Sequence, residues 1–141
     1  MSKNFKEFSA KYKLFDNILY ENKNWVVSIR PEQKTPFSMI LTIKKDVFQI
    51  RNLSKSEFLD LQDCYMFIKK LVFDKLNAFK INYLCLMLID SIVHFHVFPR
   101  FNKPFITNGF KLIDNYYPKP VDLSDNKKID FNMIKKSLET F

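Results

Sequence analysis

A single glycine, Gly109, serves the whole 141-residue chain. Walker and dinucleotide-binding loops need several glycines, because their backbone approaches the phosphate closely and takes positive φ. Neither loop fits here, and collagen-like or glycine-rich linker architectures are excluded as well. An anion bound by this chain is held by side chains, or by backbone N–H groups in a glycine-free setting. The remaining composition is that of a folding chain: 47% hydrophobic and 16% aromatic, with 16 Phe. The length suits one domain over residues 1–141, large enough to bury a core without staples.

The net charge is +8, from 23 basic against 15 acidic residues. Such a surface favours anionic partners: nucleotides, nucleic acid, sugar phosphates or acidic lipid. It equally fits a solvated lysine surface, since the lysines are scattered from Lys3 to Lys136 with no run of five like charges. Nucleic acid is the weaker partner, because no RNP-like or zinc-finger motif accompanies the charge. Cys64 and Cys85 make neither a disulfide framework nor a zinc site, and read as small apolar core residues in a reducing compartment. Residues 1–15 alternate charge and aromatics without an apolar signal region, and no 18-residue apolar stretch follows. A cytoplasmic location without membrane insertion is the expectation.

Periodicity supplies the elements. Phe5, Phe8 and Tyr12 stand three and four apart, predicting a short helix over 3–13. Two β-rich runs, 17–21 and 24–30, flank a polar turn and predict a hairpin. A third strand is expected over Ser38–Ile43. Ser54 with Glu57 has the capping-box form, and Phe58, Leu61, Tyr65, Ile68 and Val72 follow at helical spacing, predicting a helix from about 55 to 76. Strands are expected over Lys80–Leu88 and Ile92–Phe98, the second ended by Pro99 for want of an N–H. The core thus spans about 15–100. Residues 101–128, with Pro104, Asn108-Gly109, Pro118 and Pro120, read as an irregular tail, and a C-terminal helix is expected over about 129–139. The order predicts an α+β fold: an antiparallel sheet of about five strands with the long helix packed on one face.

The chain has only two histidines, in the run Ile92-Val93-His94-Phe95-His96-Val97-Phe98-Pro99-Arg100. On a strand His94 and His96 share one face with Ile92 and Phe98, their Cβ atoms about 6–7 Å apart, while Val93, Phe95 and Val97 form an apolar opposite face. Three readings fit: two packed histidines on a half-buried sheet; a metal site, short of a third ligand in the absence of further His or a CxxC; and covalent catalysis, with one imidazole attacking phosphorus while its neighbour donates a hydrogen bond. The last needs both rings beside a cleft that a phosphoryl group can enter. Its attacking ring must be neutral, with the far nitrogen donating to a fixed acceptor such as a backbone carbonyl.

The run from His94 to Arg100 resembles the signature of the histidine triad (HIT) superfamily, in which three histidines alternate with apolar residues and Pro-Arg commonly follows. Trp25-Val26-Val27-Ser28-Ile29-Arg30-Pro31, Pro36 and Ser38–Lys45 are similar to the family's second and third strands, without the usual Gly-His before the third. Asn52-Leu53-Ser54 with Glu57 resembles the start of its long helix, and Lys80–Leu84 the strand before the triad. Phe110–Leu123 is similar to a tail of one bacterial and fungal branch.

The resemblance implies an enzyme that cleaves a nucleoside phosphate conjugate, such as a dinucleoside polyphosphate or a phosphoramidate, through a nucleotidyl-histidine. His94 is the implied nucleophile and His96 the phosphate contact. The first triad position falls on Ile92, so that histidine is missing. Asn82 stands near the family's nucleotide-contacting Asn. Arg30 occupies the place of the acid that grips the ribose, and points to a phosphate contact instead. Arg100 ties down the loop after the strand or reaches the anion. No cofactor or resident metal is implied, although Mg²⁺ would accompany a polyphosphate. A homodimer with strands continuing across a two-fold is implied. A nucleotide-binding module with little or no catalysis is the alternative. Trp25, Phe37, Phe15 and Tyr20 are either base-stacking or core aromatics.

Overall fold

Capping and apolar spacing decide the local elements. The Ser2 hydroxyl accepts the Phe5 N–H at 3.2 Å and opens α1 (Lys3–Tyr12), whose Phe5 and Phe8 are buried as their spacing requires. The helix ends at Lys13 in the left-handed region (φ 49°), where the Lys13 N–H returns to the Ser9 and Ala10 carbonyls. Ser54 opens α2 (Lys55–Lys69) by accepting the Glu57 N–H at 3.2 Å. Only this half of the capping box forms, since the Glu57 carboxylate turns to Lys45 Nζ at 2.7 Å. The long helix reaches its expected end by a change of pitch, as Lys70–Lys75 form a wider π-helical turn. Asp130 caps α3 (Phe131–Leu138), its carboxylate accepting the Asn132 N–H at 2.9 Å.

The computed structural model describes residues 1–141. Strands β1 (Ile18–Glu21), β2 (Trp25–Ile29), β3 (Met39–Ile43), β4 (Lys80–Leu84) and β5 (His94–Arg100) form one antiparallel sheet in the order β1-β2-β3-β5-β4. The fold is α+β, with the five strands and the long helix that the patterns predict. One sheet face, with Trp25, Leu41 and Phe95, takes α2: Trp25 Nε1 donates to the Glu57 carbonyl at 2.7 Å, and Tyr65 meets Phe95 edge-on at 6.3 Å. The opposite face takes α1, where Phe8 lies 5.0 Å from His94. One apolar cluster of 27 buried residues runs from Phe5 to Ile134.

Three expectations need correction. The strand expected to stop at Pro99 continues to Arg100, with Pro99 opposite Ile81. The Val93 carbonyl faces β3 and the Arg100 carbonyl faces β4, accepting from the Phe79 N–H at 2.8 Å. Alternation therefore turns the Pro99 nitrogen to the β3 side, where pairing has already ended at Met39–Val97, so no ladder bond is lost. The strand expected over Lys80–Leu88 stops at Leu84, and Met87 takes φ 52°, which no extended chain tolerates. The tail is not wholly irregular. β6 (Phe105–Thr107) and β7 (Phe110–Leu112) form a hairpin around Asn108 and Gly109, both at positive φ.

The tail is also strapped to the sheet. Arg100 Nε donates to Asp114 at 2.7 Å, the buried Lys34 Nζ donates to the Asp125 carbonyl at 2.7 Å, and the Ile129 N–H donates to the Gln33 carbonyl at 3.0 Å.

Candidate active site

Strand alternation brings His94 and His96 to the α1 face, opposite Thr42 and Ile40 of β3, with ring centroids 5.0 Å apart and planes at 85°. His94 Nδ1 lies 2.6 Å from the Ile92 carbonyl. A carbonyl only accepts, so Nδ1 carries the proton and Nε2 keeps its lone pair. The bond uses backbone at position 92, so the absence of an imidazole there does not remove it. Burial holds the His94 pKa below the ordinary histidine value, against the opposing pull of the Ile92 bond and of Asp90. Burial also pushes His96 down, to about 3, aided by the charge of Arg30 and by His94. Both rings are neutral at pH 7.

Arg30 leaves β2 and turns back over the same face. It is 8% exposed, and its guanidinium carbon lies 5.4 Å from the centre of the Phe98 ring. Its Nε and Nη1 have no hydrogen-bond partner, and neither does His96 Nδ1. The His96 ring stacks on the same Phe98 at 6.4 Å, so the orphaned groups are neighbours. Burial lowers the Arg30 pKa, with Glu32 and Tyr12 opposing from a distance. A buried guanidinium without an acceptor is costly, and an oxyanion beside Phe98 would answer its unmet donors.

The imidazoles do not project into an open cleft, contrary to expectation. His94 is 2% and His96 9% exposed. Phe8 lies 5.0 Å from His94, and Tyr12 lies 6.5 and 6.3 Å from the two rings. The reason is the aromatic stripe of α1, which must bury itself, and the sheet face not taken by α2 receives it. Two acids pin the helix. Asp46 accepts from the Ser2 hydroxyl and from Asn4 Nδ2 at 3.2 Å, while Asp90 accepts from Lys11 Nζ at 2.8 Å and Tyr12 OH at 3.0 Å. A cleft of about 650 Å³ runs beside α1, with Phe8, Lys11, Phe48, Asp90 and Ile92 among its walls, and neither imidazole lines it.

No protein-family model and no curated protein matches the chain by sequence. Its architecture does match solved structures. A histidine triad protein of Marinobacter aquaeolei VT8 superposes with a TM-score of 0.67 at 16% identity, over 91% of this chain and 88% of that one. A histidine triad nucleotide-binding protein of Sulfolobus tokodaii strain 7 gives 0.65 at 12% identity, over 99% and 90%. The diadenosine triphosphate hydrolase of Plasmodium falciparum, in complex with Cyclomarin A, gives 0.52 at 16% identity, over 74% and 86%. The chain has the histidine triad fold.

Within this histidine triad fold the other predicted residues take different roles. Asn82 lies opposite Phe98 on the His face, and its Oδ1 accepts from Arg100 Nη1 at 2.9 Å. Arg100 ties the strand to the tail. Its Nε meets Asp114 at 2.7 Å and its Nη2 the Lys119 carbonyl at 2.6 Å, so its charge is matched within the fold. Trp25 and Phe37 are core, Tyr20 stacks on Phe67, and Phe15 packs edge-on against Phe5, so none of the four stands over the imidazoles. No three His, Cys, Asp or Glu side chains converge as a metal ion requires. Sequence reasoning missed Phe8, Tyr12 and Asp90 as neighbours of the imidazoles. Helical spacing marked the two aromatics as buried, but nothing local said against what. No helix is long and apolar enough to cross a membrane.

Proposed function

We propose that the chain is a nucleotidyl hydrolase or nucleotidyltransferase of the histidine triad superfamily, acting on a nucleoside phosphate conjugate such as a dinucleoside polyphosphate or phosphoramidate. The 2.6 Å contact of His94 Nδ1 with the Ile92 carbonyl carries the reading, because it leaves a neutral Nε2 with a free lone pair. With α1 displaced from the rings, Nε2 attacks the α-phosphorus in line. Its lone pair becomes the P–N bond as the bond from phosphorus to the leaving group breaks. The leaving group departs with that electron pair and is protonated from solvent. Water, or an acceptor such as phosphate, then displaces the nucleotide and returns the pair to Nε2. Neutral His96 donates one N–H to a phosphate oxygen, and Arg30 Nε and Nη1 take its charge; a donor of this kind is typically worth ~3 kcal/mol. The Asn82 Nδ2, not engaged by Arg100, contacts the nucleotide. Mg²⁺ enters with a polyphosphate substrate. The active form is a homodimer whose strands continue across a two-fold at a sheet edge, which sedimentation at micromolar concentration checks.

His94→Ala is expected to abolish turnover and His96→Ala to cut it by about 10²-fold or more. An alkaline quench, which preserves a P–N bond, should trap a nucleotidylated protein whose adduct maps to His94. Full activity in His94→Ala, or an adduct elsewhere, ends this mechanism.

The closure of both rings under α1 favours a second reading, a module that binds a nucleotide without efficient chemistry. Calorimetry with AMP, GMP and their polyphosphates beside a turnover assay separates the two: tight binding without turnover across the panel selects the module.

A further inference from the structure

We propose that α1 is a latched lid: a phosphorylated ligand reaches the imidazole pair only when α1 swings away about Lys13, and Asp46 and Asp90 set how often it does. The inference rests on the reading of His94, His96 and Arg30 as a phosphate site and adds the regulation of access to it.

Four observations converge. The helix excludes the ligand, since Phe8 is in aromatic contact with His94 at 5.0 Å, Tyr12 stands 6.5 and 6.3 Å from the two rings, and the imidazoles are buried beneath them. The helix is also detachable. Its backbone hydrogen bonds stay within itself and its caps, so release breaks no sheet ladder and costs the burial of Phe5 and Phe8, which keeps the closed state dominant. Its polar ties to the body go to two acids on separate loops, Asp46 at the N-terminal end and Asp90 at the C-terminal end. The pivot we assign is Lys13, where the helix stops in the left-handed region at φ 49°, a conformation unfavourable for a lysine. Finally, the closed state leaves the Arg30 donors and His96 Nδ1 unmet beneath the lid, so ligand binding has a differential gain to set against opening. The 650 Å³ cleft along the flank of α1, with Phe8 and Asp90 in its walls, gives solvent and ligand a line of approach to the latch.

The chain's only two histidines both lie under α1, so carbethoxylation by diethyl pyrocarbonate at pH 7, read at 240 nm, measures lid opening without any nucleotide. Asp46→Asn and Asp90→Asn are each expected to speed the modification about three- to tenfold, the range for a lost charge-assisted bond at a partly exposed site. Amide exchange in β3 should stay unchanged, which separates lid opening from unfolding. Calorimetry with AMP should show affinity rising by the same factor in Asp46→Asn, a position away from the imidazoles. Unchanged modification rates in both variants overturn the lid, and so does faster modification with AMP affinity unaltered. Faster modification with no AMP binding in any variant keeps the lid and removes the nucleotide reading. Tight AMP binding with unchanged modification does the reverse.

Discussion

The acceptor that fixes His94 is the carbonyl of residue 92, so the side chain there is free to differ without disturbing the tautomer. Ile92→Val is expected to leave the ¹⁵N signature of an Nδ1-protonated His94 intact, at about 0.5–1.5 kcal/mol of stability for the deleted methylene. A switch to the Nε2-protonated form would show that the side chain, not the backbone, sets the proton. His96 carries a second consequence. Its folded pKa lies at about 3, below the ordinary 6.5, chiefly through burial. The unfolded chain therefore takes up a proton that the folded chain refuses. Stability is full above pH 6.5 and falls as pH drops from 6.5 toward 3, by up to about 1.4 kcal/mol per pH unit. Urea unfolding at pH 7.5 and 4.5 measures it, and His96→Gln should flatten the difference. If phosphate binds beside His96 as proposed, it favours the charged imidazole, and the loss should shrink when phosphate is present.

Among the elements, the β6–β7 hairpin turns on Asn108 and Gly109, at φ 48° and 78°. A Cβ on Gly109 meets nothing within 4 Å, so Gly109→Ala tests backbone preference alone. It is expected to cost about 1 kcal/mol, and Gly109→Asn less, by thermal unfolding. Among the surrounding prolines the Asn-Gly pair reads as part of an irregular tail, because the two strands it joins have only three residues each. Elsewhere the local code was clear. The 92–98 alternation, the 3–13 aromatic spacing and the Ser54 cap each translated into the observed element, because each depends on residues within a turn or two of one another. Two features were not local. Pro99 sits inside a strand because β3 ends early, and α1 covers the histidines because α2 has taken the other sheet face. Both are settled by which distant element arrives where, and one strand's pattern contains neither.

For the molecule as a whole, the Arg100–Asp114 pair joins β5 to the tail with side chains 5% and 0% exposed. Arg100→Ala strands a buried carboxylate and is expected to cost about 3–5 kcal/mol in chemical denaturation, while replacing both partners by apolar residues should recover much of the loss. A loss under 1 kcal/mol in Arg100→Ala would mean that Asp114 is hydrated in solution. Asp114 also accepts from the Phe101, Tyr116 and Tyr117 N–H groups, so its charge organises the turn that follows.

The strap formed by Lys34 on Asp125 and by Gln33 on Ile129 grips the loop that follows Arg30. Chain more than 90 positions downstream thus acts as a cleat on the segment that aims the guanidinium. A protein ended at residue 120 would keep every sheet strand and both histidines while freeing that loop. If Arg30 holds phosphate as proposed, that protein should lose grip on phosphate before it loses its circular-dichroism spectrum, which would make the far end of the chain a remote support for the guanidinium.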